Sequence, residues 1–337
     1  MMDAAARMTA RMAIPPGSLG LLEKQVQKLF RAWPKFYDTI KPYHYIFAAD
    51  NGVVAAGVVR QEQAITYLQA KNMMAGQAAI SCFCKAQNVP YAVVDVGVNS
   101  EEAVGLDRKV AHGTRNFLES PAMTEREFWQ AYDAGAEMVR RAQVAGCNLL
   151  SFGEMGIGNT TTSTAVLHAL TGASLLEITG YGANPGHPEV VLRKREVIQT
   201  AVRKYAPLMK APQGMIRCVG GFDLAALCGA MVACREQNLP FMLDGFITAV
   251  ALACAVRINP GVSAMAIPSH MSQEPGMLYA LQAAGIRTDE VPIQAGLRLG
   301  EGTGAILGLS MLRTMLYTVY NMKTMDGLIS ESCGAAK

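Results

Sequence analysis

Charge is scarce in this chain: Asp, Glu, Lys and Arg make up 17% of its 337 residues, and the formal net charge is +3. The basic residues are scattered, so the sequence carries no electrostatic footprint for nucleic acid, and polyanions are excluded as principal partners. Long apolar runs are missing as well. The most apolar stretch, GFITAVALACAV from Gly245 to Val256, is too short to cross a bilayer and is bounded by Asp244 and Arg257. It reads as a core helix, and no membrane association is expected. The opening MMDAAARMTARMAIPPGSLG lacks a signal peptide's apolar segment, because Asp3, Arg7 and Arg11 interrupt it. No export signal is evident, and a cytoplasmic location is expected.

Metal-ligand spacing is absent too. The eight cysteines sit mostly in apolar runs, and the closest pair, Cys82-Phe-Cys84, is not a zinc spacing. Reduced, buried thiols are the reading. The five histidines, at 44, 112, 168, 187 and 270, form no pair at helical or turn spacing, so no metal site is expected.

What is present is an alternation. Apolar runs rich in Val, Ile, Phe and Tyr at 43–50, 91–98, 148–153, 215–221, 240–245 and 262–269 read as buried strands. Longer helical patterns at 62–86, 125–143, 160–170, 189–207, 222–236 and 274–283 separate them. This order predicts a mostly parallel sheet covered on both faces, with ligands beyond the carboxyl ends of its strands. The segments LGLLEKQVQKLFRAW and GAILGLSMLRTMLYTVYNM read as helices without intervening strands. They predict a smaller helical lobe from residues 1–40 and 305–337, beside a large α/β domain over 41–304.

Two glycine-rich stretches fall at predicted strand or helix ends. In SFGEMGIGNTTTSTAVLHAL (Ser151 to Leu170), a strand ends near Phe152 and a helix begins near Thr160. Backbone N–H groups around Gly156 and Gly158, with Asn159 and Thr160, suit an anion at a helix N-terminus, and they equally suit a plain strand-to-helix turn. The third glycine of a dinucleotide fingerprint is missing, and no Gly-Lys-Ser/Thr follows. In AGLRLGEGTGA (Ala295 to Ala305), Glu301 stands among Gly300, Gly302 and Gly304. A partly desolvated carboxylate there suits a general base, and a first-turn helix charge is the other reading. Asp50 and Asn51 fall at a strand end, where turn chemistry suffices. Lys194 belongs to a basic run, Arg193 to Arg195, that reads as a solvated face with one member able to reach a phosphate.

Taken together, PPGSLGLLE, AADNGVVAAGV, VDVGVN, GEMGIGNTT, GGFDLAAL, LDGFI, SHMSQEPG and RLGEGTGA, in that order over nearly the whole chain, resemble one family. It is the nicotinate-nucleotide:dimethylbenzimidazole phosphoribosyltransferases, which build the lower ligand of cobamides. The resemblance implies a parallel, doubly wound, Rossmann-like sheet with a small helical domain, working as a dimer. It implies transfer of the 5-phosphoribosyl group of nicotinate mononucleotide to an aromatic acceptor, with inversion and release of nicotinate. Glu301 would be the base, Glu154 the second active-site carboxylate, and Lys194 a neighbour of the ribose phosphate. Gly156, Gly158, Asn159, Thr160, Gly300 and Gly302 would border the nucleotide. No cofactor is implied, because the nucleotide is a substrate and its pyridinium leaves without help from a metal.

Three positions depart from the family pattern. Val59 stands where a serine is common, Leu68 where a glutamine is, and Asn51 where a histidine is. Two apolar side chains against the acceptor favour a phenol or cresol over a benzimidazole, since polar groups left unpaired against such a ring are costly. That points to the phenol-activating branch, whose members pair two homologous chains, and the retained Glu154, Lys194 and Glu301 mark this chain as the catalytic one. The competing readings are a benzimidazole-specific homodimer and a nucleotide-binding subunit without activity of its own.

Overall fold

A computed structural model describes residues 3–334. All six strands are parallel and lie in the order β3-β2-β1-β4-β5-β6. They are β1 (Pro42–Ala49), β2 (Tyr91–Gly97), β3 (Leu106–Asp107), β4 (Leu149–Met155), β5 (Phe241–Leu243) and β6 (Ala266–Pro268). Because β1 pairs with β2 on one side and with β4 on the other, the crossovers run to opposite halves of the sheet and a crevice opens where they diverge. Register places Phe47 beside Glu154 and Ala48 beside Met155 at the lip of that crevice.

Helices cover both faces. Before β1 come α1 (Ala4–Ala10) and α2 (Leu21–Ala32), and between β1 and β2 lie α3 (Ile65–Met74) and α4 (Ala79–Ala86). Then follow α5 (Glu125–Val144), α6 (Asn159–Thr171), α7 (Leu175–Ile178), α8 (Pro188–Tyr205), α9 (Pro212–Val219), α10 (Phe222–Glu236), α11 (Phe246–Ile258) and α12 (Met277–Ala283). The chain closes with α13 (Thr303–Asn321) and α14 (Met325–Gly334). Alternation along β1 feeds two cores: Tyr45 and Phe47 pack with α5, α6 and α10, while Ile46 and Ala48 pack with α2, α3, α4 and α13. On the first face α5 and α10 approach closely. A Cβ on Gly135 would lie 1.9 Å from the Ala226 carbonyl oxygen, and one on Gly229 would lie 2.0 Å from that of Tyr132. On the second face the two chain ends meet, with Met12 bridged antiparallel to Thr324 and the amide of Met325 donating to the Arg11 carbonyl at 3.0 Å.

Several local expectations need correction. The apolar run 215–221, expected as a strand, lies largely within α9: Pro212 starts the helix, and winding places Ile216 and Val219 on its buried side. A run this short fits either period, and tertiary packing decides between them. The single helix expected over 62–86 is two, broken at Gly76, whose φ of 76° takes the left-handed region. β3 has two residues, too few for any pattern to announce, and β6 covers only 266–268 of the expected strand. Among the described residues no helix is long and apolar enough to cross a membrane.

Candidate active site

The crevice beyond β4 and β5 holds a cavity of about 670 Å³. Its walls come from the loop between β4 and α6, the loop following β5, and the segment 296–301 ahead of α13. Glu154 is the next-to-last residue of β4, and the strand aims it into this space while burying it to 6% exposure. Burial, then the charges of Asp223 and Asp244, pushes its carboxyl up to about 8, against hydrogen bonds from Asn159 and from the backbone amide of Glu301. Asp223, in the first turn of α10, is itself raised to about 6 by burial. The Asn159 amide joins the two, donating to Glu154 and, at 3.3 Å, to Asp223 Oδ2.

Glu301 is a non-glycine residue at φ 62°, flanked by Gly300 at 83° and Gly302 at 92°. Left-handed backbone at three successive positions turns the chain sharply enough to point a carboxylate back into the cavity. Neither glycine tolerates a side chain. A Cβ on Gly300 would lie 2.4 Å from Glu154 Oε1, and one on Gly302 would lie 2.1 Å from the His44 ring. The Glu301 carboxylate is held from two directions, by Gln69 Nε2 at 2.7 Å and by the Ile80 amide, in the first turn of α4, at 3.3 Å. Its backbone is held beneath: the His44 ring contacts the Glu301 carbonyl at 3.1 Å and Ser151 Oγ at 2.8 Å. Burial lowers His44 to about 4, so this anchor is a neutral imidazole. Asp244, just past β5, accepts from the amides of Gly302 at 3.2 Å and Ala305 at 3.1 Å, and so caps α13 from outside the helix.

On the far side of the cavity, Gly158 at φ 92° turns the chain into α6, whose first residues are Asn159 and Thr160. Lys194 stands behind this turn rather than in the cavity wall. It is 1% exposed, and its Nζ donates to Thr160 Oγ1 at 3.1 Å and to the Gly180 carbonyl at 3.3 Å. Burial lowers it to about 8, opposed by the nearby charge of Glu274. The lysine is not part of a solvated face, and it reaches the cavity through Thr160.

The tertiary structure thus brings Glu154, Gly156, Gly158, Asn159, Thr160, Gly300, Glu301 and Val59 to one cavity. Gly302 and Lys194 support it from behind. Leu68 is not brought there. It is 61% exposed, because the face of α3 that turns inward is Thr66, Ala70 and Met73, and a helix rotates about 100° per residue. Gln69, the next residue, lines the cavity instead. Of the two apolar side chains expected against the acceptor, Val59 lines the cavity and Leu68 does not. Asn51 is fully buried under the β4 loop, its Nδ2 near the Ile157 carbonyl at 3.4 Å. Sequence reasoning did not single out Gln69, Asp223 and Asp244, which stand in or beneath the cavity. The signal lay in GGFDLAAL and LDGFI, which put an acid at a helix start and at a strand end, and in the inward stripe of α3.

The chain is similar to known proteins over nearly its whole length. The phosphoribosyltransferase family DBI_PRT matches residues 1–327. A nicotinate-nucleotide--dimethylbenzimidazole phosphoribosyltransferase of Janthinobacterium sp. (strain Marseille) is 37% identical over 319 residues, covering 93% of this chain and 90% of the relative. One of the same description from Bradyrhizobium diazoefficiens is 38% identical over 322 residues, covering 93% and 89%. The crystal structure of CobT from Thermus thermophilus superimposes with a TM-score of 0.89 at 35% identity, covering 96% of this chain and 97% of that one.

Proposed function

The chain belongs to the family of nicotinate-nucleotide:dimethylbenzimidazole phosphoribosyltransferases, and from that premise we propose that it transfers the 5-phosphoribosyl group of nicotinate mononucleotide to a phenolic lower-ligand precursor for cobamide assembly. The observation that carries this reading is Glu301, a carboxylate aimed into the cavity from strained backbone and held by Gln69 and the Ile80 amide, opposite Glu154. In the reaction the bond from the ribose anomeric carbon to the pyridinium nitrogen breaks, and its electron pair leaves with nicotinate. The acceptor oxygen forms the new bond from the opposite face, and its proton passes to Glu301. Inversion to the α-riboside follows. A carboxylate near the sugar also stabilises the positive charge that develops as the leaving group departs. Lys194, through Thr160 at the start of α6, supports the phosphate end.

Val59 supports the acceptor preference. It stands in the cavity wall where a serine is common. A phenol or p-cresol loses little against an apolar side chain at this position, whereas a benzimidazole loses the polar contact that a serine would offer there. The exposed apolar side chain of Leu68, on the outward face of α3, is in keeping with a dimer contact there. The seven described cysteines are free thiols, in keeping with work in the cytoplasm.

The test is direct competition between p-cresol and dimethylbenzimidazole at equal concentration with nicotinate mononucleotide, scored by product ratio, with and without the partner chain. Wild type should favour the cresol riboside, and Val59→Ser should shift the ratio toward the benzimidazole by about fivefold, the equivalent of one polar contact of roughly 1 kcal/mol. A wild type that makes only the benzimidazole riboside under both conditions would replace this acceptor assignment with the benzimidazole one.

A further inference from the structure

Beneath the β4 loop two carboxylates share one amide. Asn159 Nδ2 donates to Glu154 and to Asp223 Oδ2, and no cation stands among the groups that act on either acid. Gly221 beside them leaves Asp223 its space: a Cβ there would lie 2.3 Å from Asp223 Oδ1 and 2.6 Å from Asn51 Oδ1. The Asn51 oxygen is buried without a hydrogen-bond partner, so this pocket already has more acceptors than donors. Two buried carboxylates bridged by one amide resist ionising together. Nor is a metal the answer, since no group of three His, Cys, Asp or Glu among the described residues is arranged to hold one.

Position decides which acid keeps the proton. Asp223 opens the fifteen-residue helix α10, and the Leu224 amide donates to its Oδ1 at 2.9 Å, so the helix N-terminus favours its charge. Glu154 has no such helix. It faces Asp223 from α10 and Asp244 from the end of β5, with the Asn159 amide and the Glu301 backbone amide as donors, while Asp50 at the end of β1 faces Asp223 from behind.

We propose that Asp223 is a positioning residue whose charge, set beside Glu154 across the shared Asn159 amide, keeps Glu154 protonated, so that Glu154 meets the bound nucleotide as a hydrogen-bond donor to one of its anionic or hydroxyl oxygens. The donor role rests on the placing of nicotinate mononucleotide in this cavity; the protonation of Glu154 does not. An acid in this state separates the two active-site glutamates by function, Glu301 accepting a proton and Glu154 holding one.

Two measurements test it. Infrared spectroscopy of the unliganded wild-type protein should show a buried protonated-carboxyl band at neutral pH that is absent from Glu154→Gln and that titrates away on the alkaline side. Because no substrate is involved, this reading survives or fails independently of the assigned activity. In the second, binding of nicotinate mononucleotide is followed against pH by calorimetry. Binding should weaken as pH rises through the Glu154 titration, and Asp223→Asn, which removes the neighbouring charge, should move that midpoint down by about one pH unit. A wild type without the carboxyl band, or with the band unchanged in Glu154→Gln, overturns the proposal. So does an Asp223→Asn variant that binds more weakly at every pH with an unmoved midpoint, since that is the signature of a merely structural residue.

Discussion

Asp244 contributes no atom to the proposed chemistry, yet its removal should damage both stability and turnover. Its two oxygens accept from the amides of Gly302 and Ala305, and these bonds tie the Glu301 loop and the start of α13 to the end of β5. Asp244→Ala leaves two buried N–H groups unmade, at about 1–3 kcal/mol each. Burial raises the Asp244 carboxyl above its usual range, so ionising it in the folded state costs stability, and the alanine variant recovers that cost. The net expectation is a loss of about 3 kcal/mol in urea unfolding at pH 7, with the slope of the transition unchanged. Turnover should fall by about 10–100-fold, because Glu301 sits on the released loop and an ångström of misplacement carries a penalty of that order. Asp244→Asn keeps one acceptor and sheds the charge, so its unfolding midpoint should lie between the other two. An alanine variant that unfolds with wild type and turns over at the wild-type rate would refute the tethering.

Glu301→Gln should cut single-turnover rates by about 10²–10⁴ while nucleotide binding measured by calorimetry persists, because shape is kept and proton abstraction is lost; near-normal turnover would remove Glu301 from the base role. Lys194 has a folded-state value of about 8 against an ordinary 10.5, so its protonation disfavours the folded state. The stability of wild type relative to Lys194→Met should therefore fall as pH drops from 10.5 to about 8 and level off below. Urea melts of both proteins across that range check it, and a flat difference would contradict the burial of the ammonium. Leu68→Gln should leave the acceptor product ratio at its wild-type value, because the side chain is 61% exposed on the outer face of α3; a shift toward benzimidazole would return Leu68 to the acceptor site.

Much of the architecture is legible in the residue pattern alone. The alternation of short β-branched runs with longer helical periods announces a parallel sheet, and clusters of glycine and acid after the strands announce where a ligand binds, because both are local consequences of period and backbone freedom. Motif order over nearly the whole chain is enough to name the family. Three kinds of fact needed the folded chain. Whether 212–219 is helix or strand is decided by which side of Ile216 and Val219 the core lies on, since so short an apolar run satisfies either period. Whether Leu68 or Gln69 faces the cavity depends on the rotation of α3 about its axis, which is set by the packing of Thr66, Ala70 and Met73. The protonation of Glu154 depends on Asp223 and Asp244, distant along the chain and joined only by the convergence of strand ends and helix starts. Spacing along a sequence determines the elements and their special residues; the electrostatic field at a buried atom is a sum over neighbours that only three-dimensional packing assembles.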